Sequence, residues 1–169
     1  NVLDVFGTDL TELAQQGKLD PIVGREEDIE RIVEILARRV KNNPVIIGEP
    51  GVGKTVLVEG LAQLIAAHRV PQTLQSKTLI QLDIVQLTAG TKFKGEFEER
   101  MKAIVDALEN AGGRVIAFID EIQTLMDSSA GSIKMSDILK PALARGQIQL
   151  IGTATCENYK RTIEKDRTF

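Results

Sequence analysis

The chain has 169 residues, of which 43% are hydrophobic and 27% charged, and a formal net charge of −3. That supplies enough apolar side chain for one domain with a substantial core, and it leaves no global basic field to attract nucleic acid. One cysteine excludes an internal disulfide, and no apolar run has the length of a bilayer span.

The start "NVLDVFGTDL" has neither a basic head nor a long apolar stretch, so no signal peptide is expected there, and the setting is expected to be cytoplasmic with no membrane partner. In chain order, "REEDIERIVEILARRVKNN" sets Ile29, Ile32, Val33 and Leu36 on one helical stripe, with acids early and bases late as a helix dipole prefers. "NPVIIG" is a short apolar run and reads as a strand, followed by the helical run "VLVEGLAQLIAAH". His68 closes that run and is expected to be structural or solvated, with no zinc site. "KTLIQLDI" is the next strand, and "EFEERMKAIVDALEN" puts Phe97, Met101, Ile104 and Leu108 on one helix face before the stop signal "AGG". "RVIAFID" is a third strand, "MDSSAGSIKMS" the main loop, and "DILKPALARG" a helix that Pro141 should kink or delay. "IQLIGTAT" is the last strand, and Cys156 just after it is expected to be a small apolar filler without reactivity. The runs are rich in β-branched residues, which suits strands buried on both faces. Strands alternating with helices imply crossovers, hence an α/β fold whose mostly parallel sheet is flanked by helices on both faces.

The junction "GEPGVGKT" carries the first chemistry. Glycines at 48, 51 and 53 free the backbone to turn its N–H groups onto phosphate oxygens, and the following helix adds its positive end. Lys54 supplies a point charge for the outer phosphates, and the Thr55 hydroxyl can ligate Mg2+. The pattern G-x-x-x-x-G-K-[ST] arises by chance in roughly one chain in a hundred of this length, and the strand before and helix after make it rarer.

A phosphate loop implies nucleotide without implying hydrolysis. "RVIAFIDE" delivers Asp120 and Glu121 at the carboxyl end of an apolar strand, where open α/β sheets have their ligand crevice. Asp120 can hold the hydrated cation, while Glu121 polarises a water for in-line attack on the γ-phosphate. Thr155, at the end of the last strand, is a third candidate, donating to that water or to the γ-phosphate.

These motifs, with "DPIVGR", "GTKFKGEFEER", "FIDEIQTL", "LKPALARGQ" and "NYKRTIEKD", closely resemble the first nucleotide-binding domain of the Clp-type heat-shock ATPases of the AAA+ class, nearest to the ClpB and ClpC branches. The resemblance covers nearly the whole chain. It implies a P-loop NTPase fold and an ATP/ADP and Mg2+ site. Lys54 and Thr55 match the Walker A residues, Asp120 and Glu121 the Walker B pair, and Thr155 the sensor-1 position. The nucleotide would lie against Ile22 and Val23 at the adenine and against Gly48, Pro50, Gly51, Val52, Gly53, Lys54, Thr55 and Val56. Lys92, Phe93, Lys94 and Gly95 match the loop that grips polypeptide in a hexamer's central pore, with Phe93 where the family usually has tyrosine. On its residues alone, a phenylalanine between two lysines beside Gly90 and Gly95 reads first as an ordinary solvated loop, and second as a mobile loop with the chemistry to grip extended chains without sequence choice.

The resemblance implies a sheet order in which "PVIIG" lies beside "IQLIGTAT", then "RVIAFID", then "KTLIQLDI", with "PVIIG" left as an apolar edge. It further implies that residues 1–169 are a single large subdomain ending before the arginine fingers and the helical lid. Such a subdomain alone is expected to be monomeric, to bind adenine nucleotide weakly and to hydrolyse it hardly at all. The expected function is that of an ATP-hydrolysing module in a ring-forming disaggregase or unfoldase acting on unfolded or aggregated polypeptide. A protease-feeding unfoldase is the alternative, and a P-loop switch or a nucleic-acid-handling ATPase is disfavoured by the absence of N-K-x-D and by the acidic balance.

Overall fold

The computed structural model describes residues 2–49, 53–89, 95–123 and 135–160. Its centre is a five-stranded sheet formed by β1 (Gly7–Asp9), β2 (Val45–Ile47), β3 (Thr78–Leu82), β4 (Val115–Ile119) and β5 (Gln149–Ala154), in the order β1-β3-β4-β5-β2. The four expected strands are parallel and take the expected order, with β2 at one edge. The sequence reading missed β1, which pairs antiparallel with β3 at the other edge.

Alternation on the central strands separates two apolar layers, because successive side chains on a strand point to opposite faces. Ile80, Leu82, Ala117, Ile119 and Leu150 join one cluster with Leu3 of α1 (Val2–Phe6), Leu87 of α6 (Ile84–Thr88) and the buried face of α7 (Glu96–Asn110). To the same cluster belong Leu139, Ala142 and Leu143 of a helix here called α8 (Met135–Ala144). Leu79, Ile116, Phe118 and Ile151 face the other way, onto α2 (Leu10–Gln15), α3 (Glu26–Leu36), α4 (Lys54–Ala66) and α5 (Gln72–Gln75). Phe118 is wholly buried at the centre, a contribution of about 1.5–3 kcal/mol from its side chain.

The expected helix faces are those buried: Ile29, Ile32 and Leu36 on α3, and Phe97, Met101, Ile104 and Leu108 on α7. Gly112 and Gly113 follow α7 at φ 62° and 82°, the left-handed backbone that ends a helix. Four details depart from expectation. The late bases of the α3 run lie outside the helix, which stops at Leu36 with Ala37 as its cap, so only the acids of its first turn meet the dipole. β2 is not buried on both faces; as an edge strand it leaves Ile47 43% exposed. α8 begins at Met135 and runs through Pro141, so the proline does not delay its start. Cys156 is exposed rather than packed as filler. Most of "MDSSAGSIKMS" lies outside the described residues, and among those described no helix is long and apolar enough to cross a membrane.

Candidate functional site

Because β2, β4 and β5 run parallel, their carboxyl ends meet on one side of the sheet. Register pairs Ile47 with Ala154 and Ile119 with Gly152, so Gly48, Asp120 and Thr155 all emerge there. The Gly48 N–H continues the ladder by donating to the Ala154 carbonyl at 3.1 Å.

α4 opens at this edge. Its cap, Gly53, sits at φ 84°, a left-handed conformation that side chains resist, and it brings no side chain to occupy the free N–H groups of the first turn. No acid stands in that turn to neutralise the dipole. Lys54 donates from Nζ to the carbonyls of Gly48, at 2.7 Å, and Ala154, at 3.5 Å, which holds the ammonium over the ends of β2 and β5. Thr55 is half-buried in the same turn, whereas Val56 is 41% exposed. Pro50, Gly51 and Val52 lie outside the described residues.

Sequence reasoning missed Arg25. Its Nη1 would stand 3.3 Å from a Cβ at Gly53, and its Nε donates to Asp28 Oδ2 at 3.2 Å, so a second cation lies beside the start of α4. The two residues are far apart in sequence, and no local spacing announces the contact.

The segment before Arg25 is anchored to α4. Gln63 Nε2 donates to the Asp20 carbonyl at 2.7 Å, and Ile22 packs so closely that a Cβ on Gly60 would meet its Cδ1 at 2.7 Å. Ile22 thereby lines a groove of about 600 Å3 between α3 and α4, while Val23 is 87% exposed. Ile22 is thus packed against α4, and the adjacent Val23 is open to solvent.

On the β4 side, Asp120 and Glu121 line a cleft of about 460 Å3 with Asp83, Gln81 and Thr8. Glu121 turns the chain at φ 51°, a conformation costing a non-glycine residue on the order of 1–3 kcal/mol. Hydrogen bonds from β5 compensate: the Glu121 N–H donates to Thr153 Oγ1 at 2.8 Å, and the Ile122 N–H to the Thr153 carbonyl at 2.9 Å. Thr155 is half-buried, and its carbonyl accepts from Tyr159.

The cation and helix start that follow β2 lie on the same edge of the sheet as the paired acids that follow β4, with β5 between them, and such an arrangement suits a polyanion that reacts with water. The profile of AAA, the ATPase family associated with various cellular activities, matches residues 44–167. The chain belongs to the AAA family of ATPases. This AAA domain is 50% identical over 167 residues to the chaperone protein ClpB of Mycobacterium bovis, covering 97% of the chain and 20% of that protein. It is 55% identical over 166 residues to the chloroplastic chaperone protein ClpC2 of Arabidopsis thaliana, covering 97% of the chain and 17% of that relative. Among solved structures it is similar to an Hsp104 complex with ATPγS and FITC casein, at TM-score 0.88 and 48% identity, over 98% of the chain and 28% of the other. An ADP complex of Hsp104 from S. cerevisiae superposes at TM-score 0.87 and 49% identity, over 97% and 23%. The AAA domain thus spans about a fifth of the length of these curated relatives. Membership of this ATPase family implies nucleotide binding. Lys92, Phe93 and Lys94 lie outside the described residues; Gly95 caps α7 at φ 105°.

Proposed function

We propose that this AAA domain is the ATP-binding and ATP-hydrolysing module of a ring-forming chaperone that threads unfolded or aggregated polypeptide through a central pore. The observation that carries the enzymatic half is the meeting of the Lys54 ammonium with the β2 and β5 ends, on the sheet edge where the Asp120–Glu121 turn also emerges. Lys54 neutralises charge on the outer phosphates, the first turn of α4 and Arg25 add positive potential, and Ile22 and Val23 flank the base. Glu121 takes the proton of the attacking water at its carboxylate, and Thr155 orients that water or the γ-phosphate.

Mg2+ suits the donors offered here, a Thr55 hydroxyl and an Asp120 carboxylate, which are hard oxygen ligands of the kind this ion takes. When bound, the ion would supply positive charge to the phosphates, with Thr55 and Asp120 as the residues that would hold it.

The mechanical half rests on resemblance. The relatives are chaperones, and one similar Hsp104 structure contains casein. A hexameric ring, a pore loop at 92–95 and a cytoplasmic setting belong to this proposal, as does the reading of residues 1–169 as one large subdomain, monomeric and nearly inactive by itself. The test uses a longer protein containing this domain. An unfolded polypeptide should raise its ATPase rate and DNA should not; stimulation by DNA alone would reject the chaperone reading. Degradation of that polypeptide only when a compartmental protease is added would favour the protease-feeding alternative.

A further inference from the structure

Thr153 is wholly buried on β5, and it is the residue on which the β4 turn hangs. Its hydroxyl accepts from the Glu121 N–H at 2.8 Å and donates to Asp120 Oδ1, while its carbonyl accepts from the Ile122 N–H. Three consecutive residues after β4 thus take their positions from one threonine. A hydroxyl carries a single proton, and here it is directed onto the carboxylate. That donation fixes the Asp120 side chain and occupies a lone pair of Oδ1, which decides the direction from which a cation can approach the acid. Acceptance from Glu121 at the same time fixes a strained backbone at φ 51°.

We propose that Thr153 is a positioning residue for the catalytic pair, orienting the Asp120 carboxylate toward the cation and holding the Glu121 backbone through one shared hydroxyl. The inference rests on reading Asp120 as a cation ligand and Glu121 as the residue that activates water. Valine at 153 keeps the shape and removes both hydrogen bonds; serine keeps both bonds and loses only a methyl.

The experiment titrates a fluorescent ATP analogue into this chain with and without Mg2+, for the wild type, Thr153→Val, Thr153→Ala and Thr153→Ser. Thermal melts are recorded alongside. Thr153→Val and Thr153→Ala should bind the analogue without Mg2+ as the wild type does. They should lose about 10-fold of the affinity gain that Mg2+ confers, as expected when the partner that orients a ligand is removed. Thr153→Ser should stay within about twofold of the wild type. A full Mg2+ gain in both Thr153→Val and Thr153→Ala, whatever their melting temperatures, would overturn the proposal. So would a Thr153→Ser as impaired as Thr153→Val. If Thr153→Val does not fold, Thr153→Ala and Thr153→Ser decide between the same two outcomes. An Asp120→Asn control separates the two levels: if it keeps the Mg2+ gain, the reading of the acid itself fails.

Discussion

Lys54 Nζ donates to the Gly48 carbonyl at 2.7 Å, so the cation at the head of α4 is held by the residue that ends the β2 run. The loop is bridged by the side chain that would meet a phosphate. An incoming anion competes for an ammonium already aimed at the carboxyl end of the sheet, and little reorganisation is required of it.

Lys54→Ala should therefore weaken ATP binding by about 10- to 100-fold, the range set by charge-assisted hydrogen bonds. Glu121→Gln, in a longer protein able to turn over, should leave ATP bound and unhydrolysed, because it alters only the transition-state interaction with water. Titration of a nucleotide analogue beside single-turnover hydrolysis checks both. Equal losses of affinity in the two variants would contradict this division of roles.

Gly152→Ala should destabilise the domain by about 1–2 kcal/mol. A Cβ there would stand 3.0 Å from Ile122 Cδ1 and 3.2 Å from its Cβ, so the buried Ile122 would have to shift by a few tenths of an ångström. Overpacking of this kind costs about 1–3 kcal/mol, and the 0.5–1 kcal/mol or so that alanine gains over glycine in a strand offsets only part of it. Urea denaturation gives the difference; a variant as stable as the wild type would mean that the Glu121–Ile122 turn yields.

Arg100→Ala should loosen the end of α6. Arg100 Nη1 donates to the carbonyls of Gln86, Leu87 and Ala89, the last at 2.7 Å, and its guanidinium lies 5.5 Å from the Phe6 ring centroid. About 1–2 kcal/mol of local stability rests on these contacts. Amide exchange should quicken at Leu87 and Ala89 with β4 unchanged, and equal protection in both proteins would refute the role.

Much of this site is legible in the sequence because its chemistry is local. The loop spacing, the acids at the end of an apolar run and the helix stripes each occupy a few neighbouring residues, and the structure gathers their strand ends as expected. What the sequence hides is settled by distant partners. β1 has three residues, "GTD", too few for an apolar period, and it exists through its backbone pairing with β3. Its one local signal was the capping pattern from Asp9 to Glu12, where the Asp9 carboxylate accepts from the Glu12 N–H at 2.9 Å. Thr153 was invisible for a different reason: β5 is buried at every position, so alternation gives no clue to which threonine faces the acids. Arg25 meets Gly53 only once α3 has docked on α4.

The left-handed backbone at Glu121 sets stability against activity at one position. A designer choosing residues for folding alone would write glycine there, since it adopts φ 51° without steric penalty, and the substituted domain should melt at a higher temperature. The same edit deletes the acid proposed to activate water. Natural selection on this domain would thus be retaining a locally unfavourable residue for its chemistry, and a screen that ranks variants by heat resistance should enrich inactive proteins at this codon.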